Sequence, residues 1–173
     1  MEQQAVQIED AQPKTGPSLT FFCGKMGAGK STHAKRLAQE KNAVLLSEDE
    51  CLAAFYPDQI HSIADYLKYS ALIKPFIKSH VQRILGAGTQ VVMDFPANTA
   101  AQRRWFLALC REVGCDSELV YLNLTDEQCL AQIAKRRIEQ PQRAQFDTEA
   151  MFYQISQYFE PPSAEEGLRI ITC

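Results

Sequence analysis

Gly24-Lys25-Met26-Gly27-Ala28-Gly29-Lys30-Ser31 is the stretch whose reading decides the fold. It meets every fixed position of G-x-x-x-x-G-K-[ST], the Walker A or P-loop pattern that wraps the phosphates of a nucleotide. The glycines permit tight backbone folding, so successive N–H groups can converge on a phosphate. Lys30 supplies a point charge for the β- and γ-phosphates, and Ser31 a hydroxyl for Mg²⁺. So short a pattern needs a strand before it and a helix behind it. Ser18-Leu-Thr-Phe-Phe-Cys23 reads as the strand, and residues 31–41 read as a helix free of Gly and Pro. Such a helix aims its unpaired N–H groups and partial positive charge at the phosphates. The competing reading is a glycine-rich turn that happens to end in Lys-Ser, and the strand–helix setting speaks against it. Gly24, Lys25, Met26, Gly27, Ala28, Gly29, Lys30, Ser31 and Thr32 are therefore the expected nucleotide-binding residues.

Outward from the loop, short apolar runs alternate with helical stripes. Residues 43–46 read as a second strand, ending in Ser47-Glu48-Asp49-Glu50, where Ser47 and Glu50 match a helix-capping box. Residues 63–85 carry a helical stripe from Ile63 to Leu85, with an interruption or kink expected at Pro75. Residues 90–94 read as a third strand, 99–113 as a helix burying Trp105, Phe106 and Leu109, and 118–123 as a fourth strand. Thr125 and Gln128 match another capping box at the head of a helix to about Ile138. The stretch 136–147 is polar, contains Pro141 and reads as mobile; Asp147 or Thr148 caps a last helix before a strand at 168–172. This alternation implies right-handed βαβ units and a parallel sheet of about five strands, an α/β fold with its ligand at the carboxyl ends of the strands. Residues 1–17 read as a flexible tail and 18–173 as one domain.

Three clusters follow strands and should gather at one rim of the sheet. Asp94 ends the third strand, the usual place for a carboxylate that orients Mg²⁺ directly or through water. Glu48 and Asp49 follow the second strand, where a carboxylate can take the proton of an attacking hydroxyl; Asp49 is the first choice and Glu48 its rival. Both also suit the first turn of a helix electrostatically. Arg136, Arg137 and Arg143 form a basic segment that could close over developing phosphate charge, or a solvated helix end; which one points inward is not legible. Arg103 and Arg104 are candidates for an anionic substrate or for plain surface residues.

The bulk numbers narrow the classes further. A net charge of −3 and a pI near 5.6 give no overall drive towards nucleic acid or anionic membrane. No apolar run approaches the ~20 residues of a membrane helix, and the first ten residues lack the pattern of a signal peptide. Six cysteines with no C-x-x-C read as reduced, largely buried thiols of a cytoplasmic protein.

With the loop, the acidic turn 47–50, the strand Val91-Val-Met-Asp94 and the arginines at 136, 137 and 143 in view, the chain resembles the P-loop kinases. These include adenylate-kinase-like small-molecule kinases, chloramphenicol phosphotransferase, zeta toxins and the kinase domain of polynucleotide kinase. More narrowly, it is similar to bacterial AAA family ATPases of that group. The resemblance covers about Leu19 to Thr172 and implies a P-loop NTPase three-layer sandwich with strand order 2-3-1-4-5 and a helical arginine lid. It implies ATP with Mg²⁺, a base at Asp49, and adenine held near Arg136 and residues 161–167. The expected function is an ATP-dependent kinase acting on a hydroxyl of a small molecule, with Lys30, Asp49, Arg136, Arg137 and Arg143 as its catalytic set. The alternatives are a nucleotide-dependent regulatory ATPase and a polynucleotide 5′-hydroxyl kinase. No membrane partner is expected, and the acidic pI with no basic–aromatic stripe speaks against nucleic acid.

Overall fold

The computed structural model describes residues 16–173; the first fifteen residues of the expected tail lie outside the described residues. Five parallel strands form one sheet in the order β2-β3-β1-β4-β5, namely β1 (Ser18–Cys23), β2 (Val44–Ser47), β3 (Val91–Pro96), β4 (Asp116–Tyr121) and β5 (Ile170–Thr172). This is the expected P-loop kinase order. The central strands β1 and β3 are apolar almost residue by residue, because helices cover both faces of the sheet.

Six α-helices supply the covers: α1 (Lys30–Glu40), α2 (Glu48–Phe55), α3 (Ile63–Gly86), α4 (Ala100–Val113), α5 (Asp126–Glu139) and α6 (Glu149–Ser156). On one face, Leu52 of α2, Ile73, Ile77 and Val81 of α3, and Phe106 and Leu109 of α4 close over Leu19, Phe21, Val91 and Met93. Phe21 and Phe106 stack with ring centroids 4.3 Å apart. On the other face, Ala34 and Ala38 of α1, Cys129 and Ile133 of α5 and Phe152 of α6 cover Phe22, Val92 and Val120. The small alanines let α1 lie close on the sheet directly behind the loop.

Local signals explain most helix starts. Ser47, Ser62, Thr99, Thr125 and Thr148 each accept a bond from a first-turn amide of α2 to α6, satisfying donors that would otherwise be stranded. Thr99–Gln102 and Thr125–Gln128 are complete capping boxes, whereas Ser47 is bonded to the Glu50 amide at 3.4 Å. Pro75 lies within a continuous α3, so the interruption expected there does not occur. Among the described residues no helix is long and apolar enough to cross a membrane. All six cysteines are free, and burial pushes the Cys23 thiol up to about 11.

Candidate active site

The loop between β1 and α1 is held by its own glycines and by its neighbours. Gly27 has φ +80° and Gly29 has φ +88°, the left-handed region that glycine adopts at no steric cost. Gly29 stands at the N-cap of α1, where no side chain caps the helix and no acid occupies the first turn. Among the described residues every other α-helix start is filled by a Ser or Thr oxygen, so α1 alone of them offers its first amides to an anion. The Lys30 ammonium donates to the carbonyls of Gly24 and Lys25, at 2.5 and 3.0 Å, curling over the loop it belongs to. Burial depresses its charge below the ordinary lysine range, against the pull of Asp94. The Arg136 guanidinium adds to the depression and so stands within electrostatic reach of Lys30.

Gly27 also gives a sharp test of how tightly the loop is packed. A Cβ there would lie 2.6 Å from Ile133 Cγ1 and 2.7 Å from the Cys129 carbonyl oxygen. Gly27→Ala is expected to lower stability by about 2 kcal/mol or more, combining a clash with backbone and a disfavoured φ. Thermal unfolding should show it as a fall of roughly 4 °C or more. Truncating Ile133 as well should not rescue it, because the Cys129 carbonyl remains.

The strand ends bring the acidic candidates beside the loop. Asp94 pairs in register with Ser47 of β2, the residue before Glu48 and Asp49. Between Phe21 and Phe22 the β1–β3 register jumps from Met93 to Pro96, which frees Asp94 and Phe95 from regular pairing with β1. The Asp94 carboxyl accepts a hydrogen bond from Ser31; burial and the nearby Asp49 charge raise its pKa, against Ser31 and Lys30. Asp49 is exposed and electrostatically coupled to Asp94. Glu48 is only 3% exposed, and its two oxygens accept from the hydroxyls of Tyr66 and Ser70 of α3. Burial raises the Glu48 pKa, against those two hydrogen bonds. Two adjacent carboxylates thus sit in opposite settings, one in water and one inside.

The basic candidates divide. Arg136 donates to Asp147 through Nε and Nη2, at 2.8 and 2.6 Å, and Arg143 through Nε at 3.2 Å. Asp147 is fully buried, and Thr148, not Asp147, caps α6. The stretch expected to be mobile therefore holds a short 3-10 turn, Pro141–Arg143, and a two-arginine ion cluster. Arg137 is exposed and outside that cluster. Arg103, 1% exposed, is a correction to its role as a substrate candidate. Its guanidinium is consumed by Glu166 at 2.8 Å and by the carbonyls of Ala97, Glu160 and Pro161. It clamps α4 to the approach of β5, while Arg104 is exposed nearby.

The same clamp ties the segment before β5 to α4. Phe159 and Leu168 pack on the face that carries α2, α3 and α4, whereas α5 lies on the opposite face. Lys25 is likewise engaged, with its ammonium 2.7 Å from Asp126 and 5.7 Å from the centre of the Phe159 ring.

Sequence reasoning passed over Asn98, whose Oδ1 accepts from the Gly24 amide at 2.9 Å and braces the start of the loop. Its only signal was its place just beyond the third strand. Tyr66 and Ser70 were also missed, being unremarkable on the α3 stripe.

With this geometry in place, a family model for the AAA domain matches residues 19–162. The chain belongs to that family. No curated protein matches the chain. Among solved structures, a candidate kinase from Chloroflexus aurantiacus is 19% identical, with 92% of this chain and 85% of that one covered and a TM-score of 0.70. APS kinase from Mycobacterium tuberculosis, in complex with AMPPNP and APS, is 19% identical over 92% of this chain and 90% of that one, with a TM-score of 0.60. A chain of the Pnkp1/Rnl/Hen1 RNA repair complex is 18% identical over 88% of this chain and 50% of that one, with a TM-score of 0.59. At these identities the shared property is the fold, and it is the P-loop kinase fold.

Proposed function

We propose that the protein is an ATP- and Mg²⁺-dependent kinase that transfers the γ-phosphoryl group to a hydroxyl of a small molecule. One observation carries the reading: Asp49, open to solvent, is coupled to Asp94, and Asp94 is bonded to Ser31 of the phosphate loop. A loop for the donor phosphates and a free carboxylate for an incoming hydroxyl thus share one rim of the sheet. Ser31 and Asp94 offer oxygen donors only, and no cage of three His, Cys, Asp or Glu exists among the described residues. That sparse set fits Mg²⁺, which takes most of its shell from water and phosphate, and which when bound would neutralise phosphate charge.

The chain's own groups then divide the work. Asp49 takes the acceptor's hydroxyl proton as that oxygen bonds to the γ-phosphorus, while the bond to the bridging oxygen breaks and ADP leaves. Lys30 and Arg136 hold positive charge over the transferring group. The fold shared with APS kinase and the Chloroflexus protein supports phosphotransfer as the reaction class.

Asp49→Asn tests the assignment. It is expected to lower kcat for acceptor-stimulated ADP release by about a hundredfold, in the range of a lost general base. ATP affinity should stay within about threefold, because among the described residues no hydrogen bond or ion pair joins Asp49 to the loop. Unchanged turnover would remove Asp49 as the base.

A polynucleotide 5′-hydroxyl kinase is the second reading, favoured by the likeness to the chain of the RNA repair complex. Oligonucleotide-stimulated ADP release that weakens steeply with salt would select it.

A further inference from the structure

We propose that the phosphate acceptor is a small amino alcohol or polyol carrying no anionic group, received in the cavity between α3 and α4 with its donor groups turned to Glu48. The proposal rests on the kinase reading and specifies its acceptor. The cavity, about 90 Å³, is bordered by Phe95 and Pro96, which follow Asp94 directly. Trp105 and Phe106 of α4 form an aromatic wall, and Glu48, Tyr66, Ser70, Lys74 and Gln102 line the polar side.

Around Glu48 the polar side presents acceptors, while its donors are the Lys74 ammonium and the Gln102 amide. Tyr66 and Ser70 have each committed their single O–H to Glu48, so both hydroxyls and the carboxylate present lone pairs alone. Among the described residues no lysine or arginine makes an ion pair with Glu48, and Lys74 bears on it only through space. The Lys74 ammonium instead lies over the Trp105 ring, 5.9 Å from its centre. A buried carboxylate without a cation is costly, and a ligand that brings an ammonium or hydroxyl donor relieves that cost.

Charge excludes the opposite class. An anion entering here meets the buried Glu48, on which the Asp49 charge also bears; no arginine lines the cavity, and its one lining cation, Lys74, lies over the Trp105 ring. Arg103, which could have served, spends its donors on Glu166 and three carbonyls. The enclosed space is smaller than the ~150 Å³ cavity that takes up benzene, so it holds a group of a few heavy atoms. The rest of the acceptor extends towards Asp49.

The test uses the full chain with ATP and Mg²⁺ and follows ADP release, with Lys30→Ala as the blank. Ethanolamine, glucosamine and myo-inositol form one probe set; adenosine 5′-phosphate, glycerol 2-phosphate and adenosine 5′-phosphosulfate form the other. At least one probe of the first set should raise ADP release about tenfold over the blank, and none of the second should. For an ammonium-bearing probe, Lys74→Met should lower KM about threefold by removing a like charge, and Glu48→Gln should raise it about tenfold. Lys74 is only half-buried, so its variant keeps the test alive if Glu48→Gln fails to fold. A working anionic acceptor, or a KM that rises in Lys74→Met, overturns the acceptor class and leaves the kinase reading standing. ATP binding without turnover of any probe also overturns the class. Failure to bind ATP at all brings down the kinase reading itself.

Discussion

Lys30→Ala is expected to lower phosphoryl transfer about a thousandfold and to weaken ATP binding with it. Two losses combine. The ammonium is the one lysine charge set inside the loop, and removing a preorganised donor from a transferring group costs about 10²- to 10³-fold by itself. The same ammonium bonds the Gly24 and Lys25 carbonyls, so its removal also leaves two backbone oxygens of the loop without that partner. Stability should move the other way or hardly at all. Burial already depresses the Lys30 charge, so an alanine removes a desolvated ammonium along with its bonds. The unfolding temperature of the variant should therefore stay within a few degrees of the parent while ADP release disappears. Lys30→Arg should not restore transfer, because a planar fork does not replace a compact ammonium between two carbonyls. Near-parental turnover in Lys30→Ala would mean that the loop does not hold the reacting phosphates.

What the sequence made legible was the part written in local patterns. The loop, β1, β3 and α1 were readable because a fixed motif and unbroken apolar runs need only neighbouring residues. The Thr125–Gln128 box marked the head of α5, and the same pattern at Thr99–Gln102, equally visible, was passed over. Pro75 reads as a break, yet α3 stays continuous around it, with Ile73, Ile77 and Val81 on either side in the core. Packing of that stripe outweighs the one backbone bond that a proline removes.

The site was legible in its types and not in its partners. Asp49 and Glu48 are adjacent carboxylates, and only the distant Tyr66 and Ser70 decide that Glu48 is the inward one. Arg103 looks like Arg104 in sequence; Glu166, sixty-three positions away, is what buries it. Asp147 and Thr148 are both good cap residues, and two arginines upstream claim the first and leave the cap to the second. In each case a long-range bond chooses between two locally equivalent readings.

Asp147→Asn is the change expected to show what that choice is worth. The buried carboxylate accepts two bonds from Arg136 and one from Arg143. Bonds to charged groups contribute about 1.5–3 kcal/mol each, but both arginines keep roughly a third of their side-chain surface in water and can be rehydrated. The net loss should be about 2–4 kcal/mol, a fall of roughly 6–12 °C in Tm. Burial alone would raise the Asp147 pKa; the bonds and charges of Arg136 and Arg143 outweigh it and hold the carboxyl below the ordinary range. The unfolded chain therefore takes up this proton at a higher pH than the folded one, and the stabilisation is complete above a pH of about 4. It is lost as pH falls further, through the folded value. The Tm gap between parent and Asp147→Asn should be widest near neutrality and close in acid, and a gap that persists unchanged there would overturn the ion-cluster account. Activity gives the second readout, since Arg136 is also the cation that weighs on Lys30. If Asp147 holds Arg136 at the reacting phosphates, kcat should fall about tenfold or more in Asp147→Asn, at a temperature where the variant is fully folded. An intact kcat beside the full loss of stability would place the cluster in the scaffold alone.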